Sequence, residues 1–489
     1  MNGFLQVTGG DLAAVAPEMA LCAGGLLLIL LDAFAKQLRR TFPVVTLLSL
    51  VVAGYVGSDV RTGAFFAGAV EVSALTHFID ILALAAVALS VLGGAELLKR
   101  DDKGHGEFYA LLLWSAAGLT LMVKGSDLLV TFIGLELMSL GLYLLAAWYR
   151  ELPAAVEAGM KYFLAGALAS TFLLFGVATL YGRLGSTNLT KLQGLATANP
   201  GVLLDPMVAT GLLAVVAALA FKIALVPFHS WAPDVYQGMT SPAVAFLSTA
   251  PKAGAVIVLV RVLHALAPAG LGVPWKPLLA ILAVLSILFG NVVALAQRDL
   301  KRMLAYSGIA QMGYVAIGLA TFTPDALEGI LVFLLGYLVT NSAAFLAVAA
   351  LSNGEKEPHP LNDLAGLGKV HPIAATVLTL SMISLAGVPP TIGFIGKLLV
   401  FKAAVDAHLV WLTLVGVLGS LISAGYYLRV VYYLWMKQPV SGREVTVAPE
   451  DVLSGAAFMA AAFGMLALGL FPSPVIELAR IAAAALPLR

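Results

Sequence analysis

Charge is scarce in this 489-residue chain. Asp, Glu, Lys and Arg together make up 11% of it, against about 25% in an ordinary soluble domain, so a water-facing surface of the usual kind is excluded. Cysteine occurs once, as Cys22, which rules out an internal disulfide or an iron–sulfur cluster held by this chain; Cys22 lies in an apolar run and reads as a small core residue. The net charge of +1 offers no basic face to nucleic acid. No Lys or Arg lies between Met1 and Glu18, so the positive start of a secretory leader is missing. The run Met19 to Leu31, followed by Asp32, Lys36, Arg39 and Arg40, is expected to be a retained first span. No polar stretch is long enough for a soluble catalytic domain, so the chemistry is expected within the membrane.

Hydrophobic residues supply 61% of the chain and the mean hydropathy is +0.97. A spanning helix needs about 20 mostly apolar residues. About fourteen stretches qualify, near 16–35, 41–57, 75–98, 107–124, 126–149, 154–182, 207–236, 240–266, 273–296, 301–321, 326–352, 371–407, 409–436 and 452–471. The longest polar linkers are near 58–74, 183–205, 353–370 and 437–450. The expected fold is an all-α polytopic membrane protein in one membrane domain. Lys and Arg collect in alternate loops: Lys36/Arg39/Arg40, Lys99/Arg100/Lys103, Arg150, Arg298/Lys301/Arg302, Lys356/Lys369 and Lys437/Arg443. The positive-inside rule makes these loops cytoplasmic, which puts both termini on the periplasmic side of a bacterial inner membrane.

Two stretches are too interrupted to be plain helices. Phe221-Lys-Ile-Ala-Leu-Val-Pro-Phe-His-Ser-Trp-Ala-Pro-Asp-Val-Tyr236 holds Pro227 and Pro233, and Ser384-Leu-Ala-Gly-Val-Pro-Pro-Thr-Ile-Gly-Phe-Ile-Gly-Lys397 holds Pro389 and Pro390. Proline removes a backbone donor and clashes with the preceding turn, so each is expected to break. Broken backbone at membrane depth survives only inside protein or beside a wet cavity. The breaks lie five spans apart, an odd number, so equivalent helices would run in opposite directions. That arrangement points to inverted repeats with a midplane site, although two unrelated kinks would give the same pattern.

Several charges lie where hydrocarbon should be. Asp32, Lys99, Arg150, Arg261 and Lys402 are near span ends and are expected to snorkel; Lys301 starts its span and reads similarly, though it heads the polar run Lys301-Arg-Met-Leu-Ala-Tyr-Ser307. Glu136, Lys161, Lys222, Lys252 and Lys397 lie deeper. At about 2.5–3.5 kcal/mol each, the five would cost roughly 12–18 kcal/mol, comparable to the about 5–15 kcal/mol that stabilises a whole domain. They must therefore pair or meet water, and four lysines cannot all pair with one glutamate. Burial disfavours an ammonium and a nearby carboxylate favours it again, so moving Glu136 relative to Lys222 would switch the lysine between holding and releasing a proton. His229 sits between the prolines of the first break and is a natural proton carrier, or it satisfies broken backbone. Asp234 and Tyr236 are expected at the interface.

These runs, together with Glu157-Ala-Gly-Met-Lys-Tyr-Phe163 and the opening Asp11-Leu-Ala-Ala-Val-Ala-Pro-Glu18, resemble the antiporter-like membrane subunits of respiratory complex I over nearly the whole chain. The resemblance implies fourteen helices, with broken helices 7 and 12. It implies helices 1–3 in residues 1–106, inverted five-helix repeats in 107–266 and 273–436, and a last helix and tail in 452–489. It implies a proton relay in which Glu136 pairs with Lys222, Lys161 lies beside the glutamate, Lys252 is central and Lys397 terminal. It implies no cofactor in this chain, with flavin, iron–sulfur clusters and quinone in partner subunits, and neighbours similar to subunits M and K. Because the chain ends soon after its last expected span, a long lateral C-terminal helix is not expected. A subunit of a multi-subunit cation/proton antiporter or of a proton-linked hydrogenase would share the helices and lysines. A passive scaffold would not need the deep charges at all.

Overall fold

The computed structural model describes residues 7–100, 102–266, 275–352, 357, 360–438, 452–486 and 488. In chain order the helices are α1 (Gly9–Ala14), α2 (Ala16–Phe34), α3 (Phe42–Ser58), α4 (Ala74–Arg100), α5 (Gly106–Lys124), α6 (Leu128–Ala146), α7 (Pro153–Leu184) and α8 (Leu189–Ala198). They continue with α9 (Pro206–Ile223), α10 (Trp231–Gly238), α11 (Ser241–Leu247), α12 (Ala250–Leu266), α13 (Trp275–Ala296), α14 (Leu300–Thr321) and α15 (Pro324–Ala350). The last are α16 (Leu367–Val370), α17 (Pro372–Ala386), α18 (Ile392–Asp406), α19 (Val410–Trp435), α20 (Val452–Leu470) and α21 (Ser473–Ala484).

Twelve helical segments are long and apolar enough to cross a membrane. The pair α20 and α21, bent by 82°, makes a thirteenth if it counts as one span among the described residues, against the expected fourteen; the stretch expected near 371–407 is divided into the shorter helices α17 and α18. This is an all-helical polytopic membrane protein. Its one departure among the described residues is a hairpin in the 58–74 linker, β1 (Gly63–Phe65) antiparallel to β2 (Val70–Val72). The 183–205 linker holds α8, which was not anticipated, and α21 adds a short helix turned away from the last span.

The burial pattern is that of a membrane bundle. α12, α14 and α15 are buried on almost every side, as expected of helices apolar all round their circumference. α3 and α19 instead expose large apolar side chains such as Leu48, Val51, Leu421 and Leu428, which suit lipid. Loops that alternate along the chain gather on the same face. Val70 bridges to Gly125, and Asp127 to Asn188, on one side; Lys103 pairs with Glu151, and Asp299 bridges to Pro360, on the other. Lys99 and Arg150 are exposed near that second face and Lys402 near the first, as expected of snorkelling side chains. Lys356 and Arg443 of the basic loops lie outside the described residues.

Three of the charges expected to snorkel, Asp32, Arg261 and Lys301, do not. Asp32 is buried, takes the Arg39 guanidinium at 2.6 Å and accepts the Gly106 N–H at the start of α5 at 2.9 Å. Arg261 is buried in α12; it donates to the Val123 and Gly125 carbonyls where α5 ends, to Ser126 at 2.8 Å and to Glu71 on β2 at 2.7 Å. The last carbonyls of a helix lack partners within it, and the guanidinium fork supplies them.

α5 and α6 touch backbone to backbone. A Cβ on Gly134 would meet the Met122 backbone nitrogen and lie 2.6 Å from Met122 Cα and 2.7 Å from the Gly118 oxygen. Gly134→Leu should therefore cost more than the about 1–3 kcal/mol of ordinary overpacking, seen as a lower unfolding temperature or failed accumulation in the membrane; a variant as stable as the parent would refute this packing.

Candidate functional site

Three lysines lie together at the centre of the bundle, each next to a helix end inside the fold. Lys222 is the penultimate residue of α9, which stops at Ala224 in a left-handed conformation (φ 63). The expected break follows, and its free groups are taken up internally: the Val226 N–H donates to Ser286 Oγ at 3.0 Å and Trp231 Nε1 to the Phe221 carbonyl at 2.9 Å. Lys397 is in the second turn of α18, and its Nζ donates to the Leu385 and Ala386 carbonyls of α17 at 2.8 and 3.2 Å. An ammonium at a helix C-terminus meets the negative end of its dipole. The crossing expected to be whole near 240–266 stays one span, but its helix is interrupted for two residues at Ser248-Thr249, between α11 and α12, one turn before Lys252. Pro251, which has no N–H to donate, was the available sequence signal of that interruption.

The lysines differ in what they touch. Lys222 Nζ donates to Ser139 Oγ at 2.6 Å and reaches Tyr143 OH at 3.4 Å. Glu136, one turn before Ser139 on α6, is half-buried and accepts a hydrogen bond from Ser170 Oγ of α7. No ion pair joins Glu136 to Lys222 among the described residues, so the implied pairing is not made in this conformation; serine and tyrosine hydroxyls stand at the ammonium. Lys252 is 1% exposed, and its Nζ has no hydrogen-bond partner among the described residues. It faces the Tyr236 ring at 5.5 Å. Tyr236 OH and Tyr337 OH beside it are likewise buried without a described partner. Buried polar atoms are satisfied in nearly all native proteins, so the space between Lys252 and these two hydroxyls suits water. Gly308 of α14 keeps it open: a Cβ there would lie 2.9 Å from Tyr337 OH and 3.3 Å from Lys252 Nζ.

Tyr337 also borders the next compartment, a cavity of about 10 Å³ lined by Gln311, Thr340, Ser384 and Lys397 among others, room for about one water. Gln311 donates to the Leu385 carbonyl at 2.9 Å and to Tyr427 OH at 3.1 Å. On the other side, Lys222 lies over the Tyr143 and Tyr162 rings at 5.4 and 5.8 Å. Tyr162 stacks on Trp231 at 4.6 Å, and Trp231 meets Tyr236 edge-on at 6.4 Å. Lys222, Lys252 and Lys397 are thus joined by hydroxyls, rings and a small cavity rather than by carboxylates. At about 2.5–3.5 kcal/mol each they carry roughly 8–10 kcal/mol of insertion cost, which the helix-end carbonyls and neighbouring hydroxyls help to offset.

Other expected positions fall differently. Lys161 is not deep: its side chain is 47% exposed and is held by Glu157 at 2.6 Å and Asp234 at 2.7 Å. Its place two turns into α7 said nothing of which face it took. Asp234, partly exposed, also takes Arg302 at 2.6 Å, in keeping with an interfacial place. Tyr236 is not interfacial but fully buried beneath Lys252. His229 lies in the first break, half-buried against Phe289 at 4.7 Å, with its Nδ1 lacking a described partner. Lys301 does not snorkel; it is buried and donates to the Met239 carbonyl and to Glu357, both at 2.6 Å. Glu357 was missed because it lies in a polar linker, where nothing in the sequence signals burial.

A bundle with interrupted helices around buried lysines is the arrangement found in membrane proteins that move ions. Residues 125–423 match the model of the membrane family described as "NADH:quinone oxidoreductase/Mrp antiporter, TM", and the chain belongs to that family. It is 39% identical over 477 residues to the NADH-quinone oxidoreductase subunit N of Trichlorobacter lovleyi, covering 96% of both chains. Among solved structures it is similar to a chain of respiratory complex I from Thermus thermophilus, with 34% identity, a TM-score of 0.79 and coverage of 94% of this chain and 98% of the other. It is also similar to a chain of an archaeal membrane-bound sulfane sulfur reductase, with 25% identity, a TM-score of 0.86 and coverage of 97% and 98%.

Removing one member of a buried ion pair typically costs about 3–5 kcal/mol because the other charge is left unpaired. Lys301→Met should destabilise by that order, and adding Glu357→Gln should recover a large part of it. Thermal unfolding of the purified protein checks this; additive losses would show that the pair is not coupled.

Proposed function

We infer that this chain is a proton-translocating membrane subunit, of the N type, of an NADH:quinone oxidoreductase. It sits in a bacterial inner membrane with both termini periplasmic. The observation that carries the reading is the file Lys222–Lys252–Lys397, three buried amines at helix breaks joined by hydroxyls and water-sized space, in a chain alike end to end to a subunit of that name. A lysine can hold and release a proton without leaving its place, and burial sets how firmly it does so. Hydroxyl and water partners let protons hop between such sites where carboxylate partners would hold them.

In the proposed cycle Glu136 acts on Lys222 by changing distance. In the present conformation the carboxylate is bound to Ser170 and the ammonium to Ser139. Rotation of Glu136 toward Lys222 would favour the charged lysine, and its return would release the proton toward Lys252 and then Lys397. Lys161, Asp234 and Arg302 form a half-exposed charged cluster suited to passing an electrostatic signal to a neighbouring membrane subunit, of a kind similar to M or K. Redox chemistry, with flavin, iron–sulfur clusters and quinone, belongs to partner subunits, and His229 offers a further proton carrier at the first break.

NADH-driven acidification of inverted membrane vesicles tests the relay. Lys222→Ala, Lys252→Ala and Lys397→Ala should each leave the complex assembled while severely lowering pumping, and Lys161→Ala should do less. Normal pumping by all three core variants would refute the relay. Copurification with sodium-antiporter subunits instead of NADH-oxidising ones would refute the assignment to this complex.

A further inference from the structure

A second buried charge cluster lies away from the lysine file. Lys124 ends α5 and is 1% exposed at its side chain; its Nζ contacts Glu18 Oε1 of α2 at 2.7 Å and Asp80 Oδ2 of α4 at 3.3 Å. The sequence pattern hides it, because each member stands near the end of its span. The cluster has two carboxylates for one ammonium, and one oxygen of each carboxylate, Glu18 Oε2 and Asp80 Oδ1, is buried without a hydrogen-bond partner among the described residues. An uncompensated buried charge is costly, and an ionised carboxylate with an unsatisfied oxygen is more so.

The cluster is not sealed. A 240 Å³ cavity runs beside it, lined by Pro17, Gly54, Gly57, Ser58, His77 and Asp80 among others. His77 Nδ1 is 3.8 Å from Asp80 Oδ2. Pro17, Ser58 and His77 all lie near helix ends on one face of the bundle, so the cavity leads toward that membrane surface. The other titratable or charged groups near the cluster are Cys22, one turn along α2 from Glu18, and the Glu71–Arg261 pair beyond the end of α5. α3 contributes only Ser58 and apolar residues to the cavity wall.

We propose that Glu18, Asp80 and Lys124 form a second proton-binding site, in which one proton is taken up by a carboxylate oxygen from water in the His77-lined cavity. The bond formed is the O–H of a neutral carboxyl group. The bond broken is an O–H of a hydronium ion in the cavity, which becomes water, or an N–H of the protonated His77 ring, which becomes neutral imidazole, and the uptake cancels the excess negative charge without moving the lysine. The ligand is a proton rather than a metal cation because the ammonium already stands between the two carboxylates, where such a cation would have to bind. His77 is placed to pass protons between the cavity and Asp80, as an imidazole can near neutral pH. Occupancy of this site is set by the membrane surface it faces and does not require the central lysines to be active.

Infrared difference spectroscopy of the assembled complex in vesicles, acid minus alkaline pH without NADH, reads the site directly. The parent should show absorption from a protonated buried carboxyl that Asp80→Asn and Glu18→Gln each remove and Lys252→Ala retains, so the result does not depend on the pumping relay. Gly54→Leu, which leaves every polar member in place and fills the cavity, should keep the band and slow its deuterium shift severalfold. A band unchanged in both carboxyl variants, or a Gly54→Leu variant that exchanges as fast as the parent, would overturn the proposal. So would sodium added at fixed pH suppressing the band as alkaline pH does, since it would make the site a cation site.

Discussion

A charged side chain in hydrocarbon must be paired, hydrogen-bonded or wet, and this architecture follows from meeting that condition for three lysines that make no ion pair with a carboxylate among the described residues. The fold meets it by breaking helices. Lys397 takes the two carbonyls freed where α17 ends, Lys222 stands at the end of α9 with serine and tyrosine hydroxyls, and Lys252 is left beside the unpartnered Tyr236 and Tyr337 hydroxyls. Each interruption would be intolerable against lipid. Each is therefore enclosed by helices such as α12, α14 and α15 that are buried on almost every side.

The same condition separates the lysine file from the other buried charges. Asp32 with Arg39, Arg261 with Glu71 and Lys301 with Glu357 are joined in direct ion pairs, and all contact backbone groups near helix ends or loops. Such closed pairs fix helices against one another and hold their protons. The central lysines have neutral partners instead, and Lys124, held between Glu18 and Asp80, stands between the two kinds as a paired ammonium with one carboxylate in excess.

Much of this was legible in the sequence. Twelve long spans follow from apolar run lengths, and the breaks at Pro227 and at Pro389-Pro390 follow from proline. Lys222, Lys252 and Lys397 stand out because they interrupt apolar runs. Burial was harder to read. Distance from a span's end predicted depth for Lys161, which faces outward, and shallowness for Arg261, Lys301 and Asp32, which are enclosed by loops and neighbouring helix ends. A helix with little amphipathic contrast does not announce which face turns inward, and neither Glu71, on the hairpin, nor Glu357, in a linker, carries a mark of its distant partner. The break at Ser248-Thr249 was hidden because hydropathy runs unbroken across it.

If these lysines carry protons, water must occupy the space around Lys252. Electron cryomicroscopy of the assembled complex, at a resolution that shows ordered solvent, tests it most directly. Density for waters bridging Lys252 Nζ to the Tyr236 and Tyr337 hydroxyls, continuing toward Lys397, is the expected result. A dry chamber, with Lys252 packed only against carbon or closed onto a carboxylate, would contradict the account.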